Sequence, residues 1–468
     1  MTTRFSLATE NWVPVLLEDN TTQLISLAET FKRAHEIVSI NTGDALEDAA
    51  LQRFLLACAI ASDQSNDTLS DMHQIAQWCM NHADDLDLLD HEKPCLQNKR
   101  MEDVPDKTWT SVGFQRYDFT SDSGYFATYA SLQLRERDDF MSLADTARLL
   151  LVRHMFSAGG LGARLAPVVG GSGATSLVSL HYNVPFVWLH VNDGFLADSI
   201  DLMRERMDYP RDGTFHFTWP GKTDAMSVID QPGTLDVLTY PSRSLLIKNH
   251  GDMATRMAVF DGLRLPKIGD DANAALYASI FKHTTWWSQS AKKQTKPRGV
   301  RSMDGTRSDW QHILECYATH DSPSILSADK PLPENVSAVL TTMSGEAAKA
   351  RIDEVACWHV PGLVAPRESV DDVLAFCTEF RRAIYSLYAT AGHHTKRDTE
   401  KIASAYATNV DARRSRIVFD FLSGFYNGKQ AIALLRNLYK ETKMTMTQDF
   451  DTTTSVRLSL KEEPQWTL

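Results

Sequence analysis

No two cysteines of this chain stand in a C-x-x-C spacing. The six that occur, Cys58, Cys79, Cys95, Cys316, Cys357 and Cys377, are far apart. A zinc ribbon needs close ligand pairs and a disulfide framework needs dense cysteine in a short chain, so neither is expected. Scattered thiols fit a reducing compartment, and a cytoplasmic location follows as an expectation. No apolar run reaches the ~18 residues of a membrane-spanning helix, and no membrane partner is expected. The opening MTTRFSLATENWVPVLLEDN holds no long apolar stretch, so no secretory signal is expected either.

The usual catalytic templates are also missing. Gly221-Lys222-Thr223 matches the end of a P-loop, but His216 sits where its first glycine belongs. Gly160 and Gly162 begin a dinucleotide fingerprint that Leu165 breaks at the third position. Gly170 and Ser172 begin a nucleophile elbow that fails at Ala174. H-E-x-x-H is absent, and His393-His394 and His320-Asp321 read as surface or capping groups. The expectation is a binding protein with no enzymatic activity, no metal and no cofactor. Active sites assemble from distant positions, so a cytoplasmic enzyme with a site not visible in sequence stays open as the alternative. A scaffold that binds partners without DNA is a third reading.

What is present is an ordinary globular composition. The 468 residues suggest two or three domains at roughly 100–200 residues each. Hydrophobic residues at 43% suffice for a sizeable core. The net charge of −12 argues against bulk binding to a polyanion, but net charge governs solubility and steering and not any local surface.

Along the chain, two apolar runs around Glu18-Asp19-Asn20 predict a hairpin. Leu27, Phe31, Ala34 and Ile37 have helical spacing, Leu46 to Ile60 reads as a buried helix, and Gln74 to Met80 fits a third. Residues 100–142 are polar and turn-rich, as a long loop or ragged hairpin would be. Leu143 to Phe156 predicts a helix with Ser142 as N-cap and Asp145 in its first turn. TSLVSLHYNVPFVWLHV reads as strands interrupted at Pro185. GTLDVLTYPSRSLLIKNHGDMATRMAVFDG reads as a β-meander with turns at Asn249-His250-Gly251 and Asp261-Gly262. Three amphipathic helices follow from about 366. The expected fold is α+β: a mixed domain with antiparallel sheets and helices over residues 1–362, then a C-terminal helical, four-helix bundle over 363–468.

Three features suggest nucleic acid. Gly159-Gly160-Leu161-Gly162 is a turn whose backbone can approach a ligand closely, its amides donating to phosphate or base edges; a flexible linker is the competing reading. From Lys282 to Arg301 there are six Lys/Arg and no acid, and from Arg381 to Lys443 twelve against five, as a polyanion footprint or a solvated helix face would show. Tyr125, Phe126 and Tyr129 stand in a polar stretch and can stack on bases, or fold back into a hairpin core.

The opening FSLATENWVPV…ISLAETFKRAHEI…LEDAALQRFLLA resembles the start of the CasA large subunits of the type I-E CRISPR complex called Cascade. DLLDHEKPCLQ and GTLDVLTYPSRSLLI resemble two further stretches of that family in the same order, with Tyr240 where a tryptophan is usual. The resemblance implies a non-catalytic subunit at one end of a crRNA-bearing complex. Such a subunit reads the protospacer-adjacent motif (PAM) in double-stranded DNA, opens the duplex beside it and helps recruit a helicase-nuclease. The implied partners are target DNA, crRNA, the backbone and small Cascade subunits and that helicase-nuclease. The resemblance implies PAM contacts at Gly159, Gly160 and Gly162, and a basic minor-groove finger at Arg264 or Lys267. Gly345–Ile352 aligns with its duplex-opening wedge and offers Lys349 and Arg351; Lys349 stands where a glutamine is usual, which alters the wedge or shifts its register. A segment near 124–140, with Tyr125, Phe126, Tyr129, Arg135 and Arg137, corresponds to a loop that touches RNA and DNA. Some family members carry a cysteine cluster in the middle region; this chain does not, so no zinc is implied.

Overall fold

A computed structural model describes residues 4–66, 69–112, 140–157, 179–180, 186–207, 212–266, 287–289, 297–299, 332–346, 351–360, 367–392, 395–422, 424–462 and 464–466. The chain divides into two compact units, Met1–Ser302 with Val339–His359, and Met303–Ala338 with Val360–Leu468.

In the first unit, β1 (Val13–Leu17) and β2 (Thr22–Ile25) form the hairpin that the flanking apolar runs predict. Asn20 takes the left-handed turn position at φ 63°, which Asn tolerates better than most residues. Asp19 accepts from the Thr21 N–H at 2.9 Å and from its hydroxyl at 2.6 Å, and these bonds hold its carboxyl below the usual range. Strand β3 (Ile37–Ile40) adds to the other edge of β1. The helix expected from Leu27 to Ile37 is therefore shorter, α1 being Leu27–Lys32. Leu27, Phe31, Ala34 and Ile37 are all buried, so the spacing marks the core. The β-branched Ile37-Val38 and Ile40, however, pair with β1 in place of continuing the helix.

Helix α2 (Ala45–Asn66) is buried along most of its length and is the hub of the unit. It packs against α3 (Met72–Asn81), α4 (Leu143–Phe156), α5 (Leu196–Met207) and α6 (Thr234–Thr239). Asp71 and Gln74 close a capping box on α3. Ser142 caps α4 by accepting from the Asp145 N–H at 3.0 Å, as the sequence predicts.

Strands β7 (Arg243–His250) and β8 (Met253–Asp261) form an antiparallel hairpin turning at Gly251. The preceding GTLDVLT is not a strand of a meander, as expected, but helix α6. Its start is held by Asp236, whose Oδ2 accepts from the Gly233 N–H at 2.9 Å, and Leu235, Val237 and Leu238 are buried. Strand β6 (Phe186–Val191) lies in a second sheet of order β12-β11-β6, with β11 at Val336–Glu346 and β12 at Arg351–Val360. Strands β9 (Trp287–Gln289) and β10 (Pro297–Gly299) pair with each other.

The second unit carries α7 (Arg367–Ala391), α8 (Lys396–Leu422), α9 (Gly428–Asp449) and α10 (Thr452–Leu460). Helix α7 packs on the other three around Phe376, Phe380, Leu387, Phe421, Leu435 and Leu438. The mixed α+β fold with a helical C-terminal region is the one the sequence predicts.

Candidate nucleic-acid interface

Most of the residues singled out in the sequence lie outside the described residues: Gly159, Gly160, Gly162, Lys267, Lys349, Tyr125, Phe126, Tyr129, Arg135 and Arg137. The described flanks of the glycine-rich and aromatic segments both meet the β7–β8 hairpin, at different places, whereas those of Lys349 belong to the β12-β11-β6 sheet.

The glycine-rich stretch 158–178 is bracketed by Ser157 and Ser179. The Ser179 N–H donates to the Ser157 carbonyl at 2.9 Å, so the chain leaves and returns at one point. Beneath it, Arg243 donates from Nη2 to the same Ser157 carbonyl at 3.1 Å and from Nη1 to Asp261 at 3.1 Å. Ser242 hydrogen-bonds the Ser179 hydroxyl at 2.8 Å and donates to the His154 carbonyl. Arg243 and Asp261 face each other across the open end of the hairpin and are both buried.

Arg264 lies at this same end. The Gly262 N–H donates to the Ser242 carbonyl at 3.0 Å and the Leu263 N–H to Pro241 at 2.9 Å. Arg264 then forms a parallel bridge with Val228, donating to Ser227 at 2.9 Å and accepting from Ile229 at 2.9 Å. Its side chain is half-buried. The structure thus brings together the stem of the glycine-rich stretch and the backbone of Arg264.

The aromatic segment is mounted elsewhere. On the free edge of β8, β4 (Thr110–Ser111) pairs at Met257 and Arg256, and β5 (Met141–Ser142) pairs at Ala254 and Met253. The Val112 N–H donates to Thr255 at 3.1 Å between them. The two short strands are collinear, and residues 113–140 are an insertion into one edge strand. At about 3.3 Å per residue this port is roughly 20 Å along β8 from Asp261. Arg351 opens β12, and Lys349 falls between the ends of β11 and β12.

The ground under the first port is rich in buried cations. Arg53 donates from Nη2 to the Val237 carbonyl, one of the orphan carbonyls at the end of α6, and burial draws its guanidinium down to about 10. Burial also draws His154 down to about 4, so the ring is neutral and its Nε2–H donates to the Leu96 carbonyl at 2.9 Å. Leu96 belongs to DLLDHEKPCLQ, which braces the outer edge of β7. Gln97 accepts from the Ile247 N–H at 2.9 Å and donates to Leu88 at 2.8 Å, and the Asn98 N–H donates to Leu245 at 2.7 Å.

In the helical unit, acids between Arg381 and Lys443 form ion pairs: Asp398 with Lys401, Glu400 with Lys396, Asp420 with Arg416 and Glu441 with Arg413. Most of these pairs are exposed and contribute little to stability. The basic excess of this stretch persists. Among the described residues no group of three or more His, Cys, Asp or Glu could hold a metal ion, and no helix is long and apolar enough to cross a membrane.

Sequence reasoning missed Ser157, Ser179, Ser242, Arg243 and Asp261. Their only signal was the fragment Y-P-S-R between a helix and an apolar strand, with an aspartate eighteen positions after the arginine.

Such an arrangement defines a mixed α+β unit that carries long chain segments on pinned stems, and a second unit with the C-terminal helices. The chain belongs to the CRISPR-associated protein Cse1 family, whose model matches residues 6–417. It is similar in structure to Thermus thermophilus CasA (Cse1), at 17% identity and TM-score 0.68 over 97% of each chain. Thermobifida fusca Cse1 matches at 18% identity and TM-score 0.68, over 97% of this chain and 95% of that one. A chain of a CRISPR RNA-guided surveillance complex matches at 12% identity and TM-score 0.66, over 97% and 98%. No curated protein matches.

Proposed function

We propose that this chain is the non-catalytic large subunit of a crRNA-guided surveillance complex. In this reading it recognises the PAM in double-stranded DNA, promotes local unwinding and R-loop formation, and helps recruit a helicase-nuclease in the cytoplasm. The observation that carries it is the shared stem: in a Cse1-family chain, the residues that bracket the glycine-rich stretch are hydrogen-bonded to the same hairpin end that Arg264 follows. A backbone stretch able to approach base edges, beside a basic side chain, is what minor-groove reading requires. The minor groove carries a degenerate code, chiefly A·T against G·C, so permissive PAM recognition is expected. Sequence is left to pairing with the crRNA, as in other RNA-guided systems. The basic stretch of the helical unit supplies sequence-independent attraction to phosphate.

Lys349 is the candidate wedge. Unstacking a base step costs on the order of a few kcal/mol, offset by phosphate contacts and the growing heteroduplex. Lys349→Ala should then slow duplex opening beside the PAM more than it weakens PAM binding; equal defects would remove Lys349 from that role. The subunit reading itself is tested by a gel-shift titration of the crRNA-loaded complex, with and without this chain, on matched duplexes with and without a permitted PAM. Affinity that depends on the PAM only when the chain is present is the expected result. Failure of the chain to join the complex would overturn the proposal and reopen the search for a hidden active site.

A further inference from the structure

We infer that Arg243 is the positioning residue that ties Ser157 and Ser179, the stem of the glycine-rich stretch, to the chain leading to Arg264, with Ser242 as its second clasp. This rests on the proposed PAM-reading function and adds what holds the two reading elements together.

The geometry is specific to a guanidinium. Nη2 of Arg243 reaches the Ser157 carbonyl at 3.1 Å, the last residue before the glycine-rich stretch, and Nη1 reaches Asp261 at 3.1 Å, three residues before Arg264. Two donors on one planar group thus tie Ser157 to Asp261, which stand 104 positions apart in the sequence. Their exposures of 3% and 5% keep the Arg243–Asp261 pair out of competing water, so its direction is fixed. Ser242 closes the other side. Its hydroxyl joins Ser179, where the stretch returns, and the His154 carbonyl in the last turn of α4, while its own carbonyl accepts from Gly262. Ser242 and Arg243 thus both join the Ser157–Ser179 stem to the chain leading to Arg264. Neither side chain is exposed, so neither contacts nucleic acid itself. A lysine at 243 would keep the charge but has a single amine on a flexible stem and cannot hold both partners in a plane.

The test uses the assembled crRNA-loaded complex and reads a ratio. Affinity is measured on a matched duplex with a permitted PAM, on the same duplex with the PAM scrambled, and on a duplex already opened over the target, where PAM reading is not needed. With Arg243→Lys, PAM discrimination should fall about tenfold, the order expected from losing one charge-assisted hydrogen bond in a stem. Binding to the opened duplex and incorporation into the complex should stay as in the wild type. Arg204→Lys, which disturbs a buried ion pair of the same unit away from this hairpin, serves as a stability control and should leave discrimination unchanged. If Arg243→Lys does not fold, Ser242→Ala replaces it, with a loss of about threefold expected from one neutral hydrogen bond. A wild-type complex without discrimination would sink the PAM-reading function itself. A discriminating wild type, with folded variants that keep its ratio or that lose opened-duplex binding equally, would overturn the clasp alone.

Discussion

Replacing Gly262 by alanine should unlock the hairpin end on which the proposed reading elements meet. A Cβ at 262 would lie 2.2 Å from the Pro241 oxygen, 2.2 Å from the Ser242 carbonyl carbon and 2.3 Å from the Arg243 nitrogen. All three are backbone atoms, so no rotamer change relieves the overlap, and ordinary contact requires about 1 Å more separation. That displacement breaks the Gly262–Ser242 and Leu263–Pro241 hydrogen bonds of 3.0 and 2.9 Å. At about 1–3 kcal/mol for each buried group left unpaired, the cost is about 3–5 kcal/mol. Gly251, at the other end of the same hairpin, supplies the contrast: its φ is +62° and nothing lies within 4 Å of an added Cβ. Alanine there meets only the left-handed backbone penalty of about 1 kcal/mol. Hydrogen exchange of the β7 and β8 amides separates the two, since it reports local opening in a chain of two units where a single unfolding midpoint need not. Gly262→Ala should reduce protection by about two to three orders of magnitude, and Gly251→Ala by less than about tenfold. Equal losses for the two variants would refute the steric argument.

Arg204 and Asp63 form a buried pair at 2.9 Å, with side-chain exposures of 6% and 3%. Arg204→Met leaves the carboxylate buried without its cation and should cost about 3–5 kcal/mol in urea unfolding, whereas Arg204→Met combined with Asp63→Leu should recover most of it. A double variant as unstable as the single one would show that the loss lies in packing. His154 titrates near 4 when folded against 6.5 ordinarily. Between those values the unfolded chain binds a proton that the folded chain does not, so stability falls as the pH drops from 6.5 to 4, by about 3 kcal/mol in all. His154→Gln keeps a donor for Leu96 and removes the titration; its stability should be flatter over that window, and an unchanged slope would place the pH dependence elsewhere.

Local chemistry was legible wherever it acts within a few residues. The Asp19-Asn20 turn, the Ser142 cap and the long amphipathic helices of the second unit all follow from short-range patterns. The misread elements depend on distant partners. GTLDVLT has the β-branched residues of a strand, but Asp236 also accepts from the Thr214 N–H, twenty-two positions away, and the apolar face meets α2. The strand formed by β4 and β5 offers two residues on either side of a long insertion, too few for an alternating pattern. Arg243 and Asp261 would be expected at the surface by residue type, and only the hairpin register puts one opposite the other in the interior. The glycine tract was visible as composition; its stem was not, because Ser157 and Ser179 meet only after twenty-one intervening residues.

Two of the stretches that carry the family resemblance are braces. In DLLDHEKPCLQ, Asp87, Leu88, Cys95, Leu96 and Gln97 are buried, and Gln97 and Leu96 join β7 and α4 through hydrogen bonds. In LTYPSRSLL, Tyr240 packs in the core below the hairpin while Ser242 and Arg243 hold the stem. Buried polar groups of this kind tolerate little change, because each one left without its partner costs as much as a good part of the net stability of a domain. A scaffold shared at TM-score 0.68 with only 17% identity is then coherent: few positions have to be held for the stems to stay in place. On the proposed PAM-reading function, the DNA preference is to be sought in what the stems carry, and the placement of the stems in the braces.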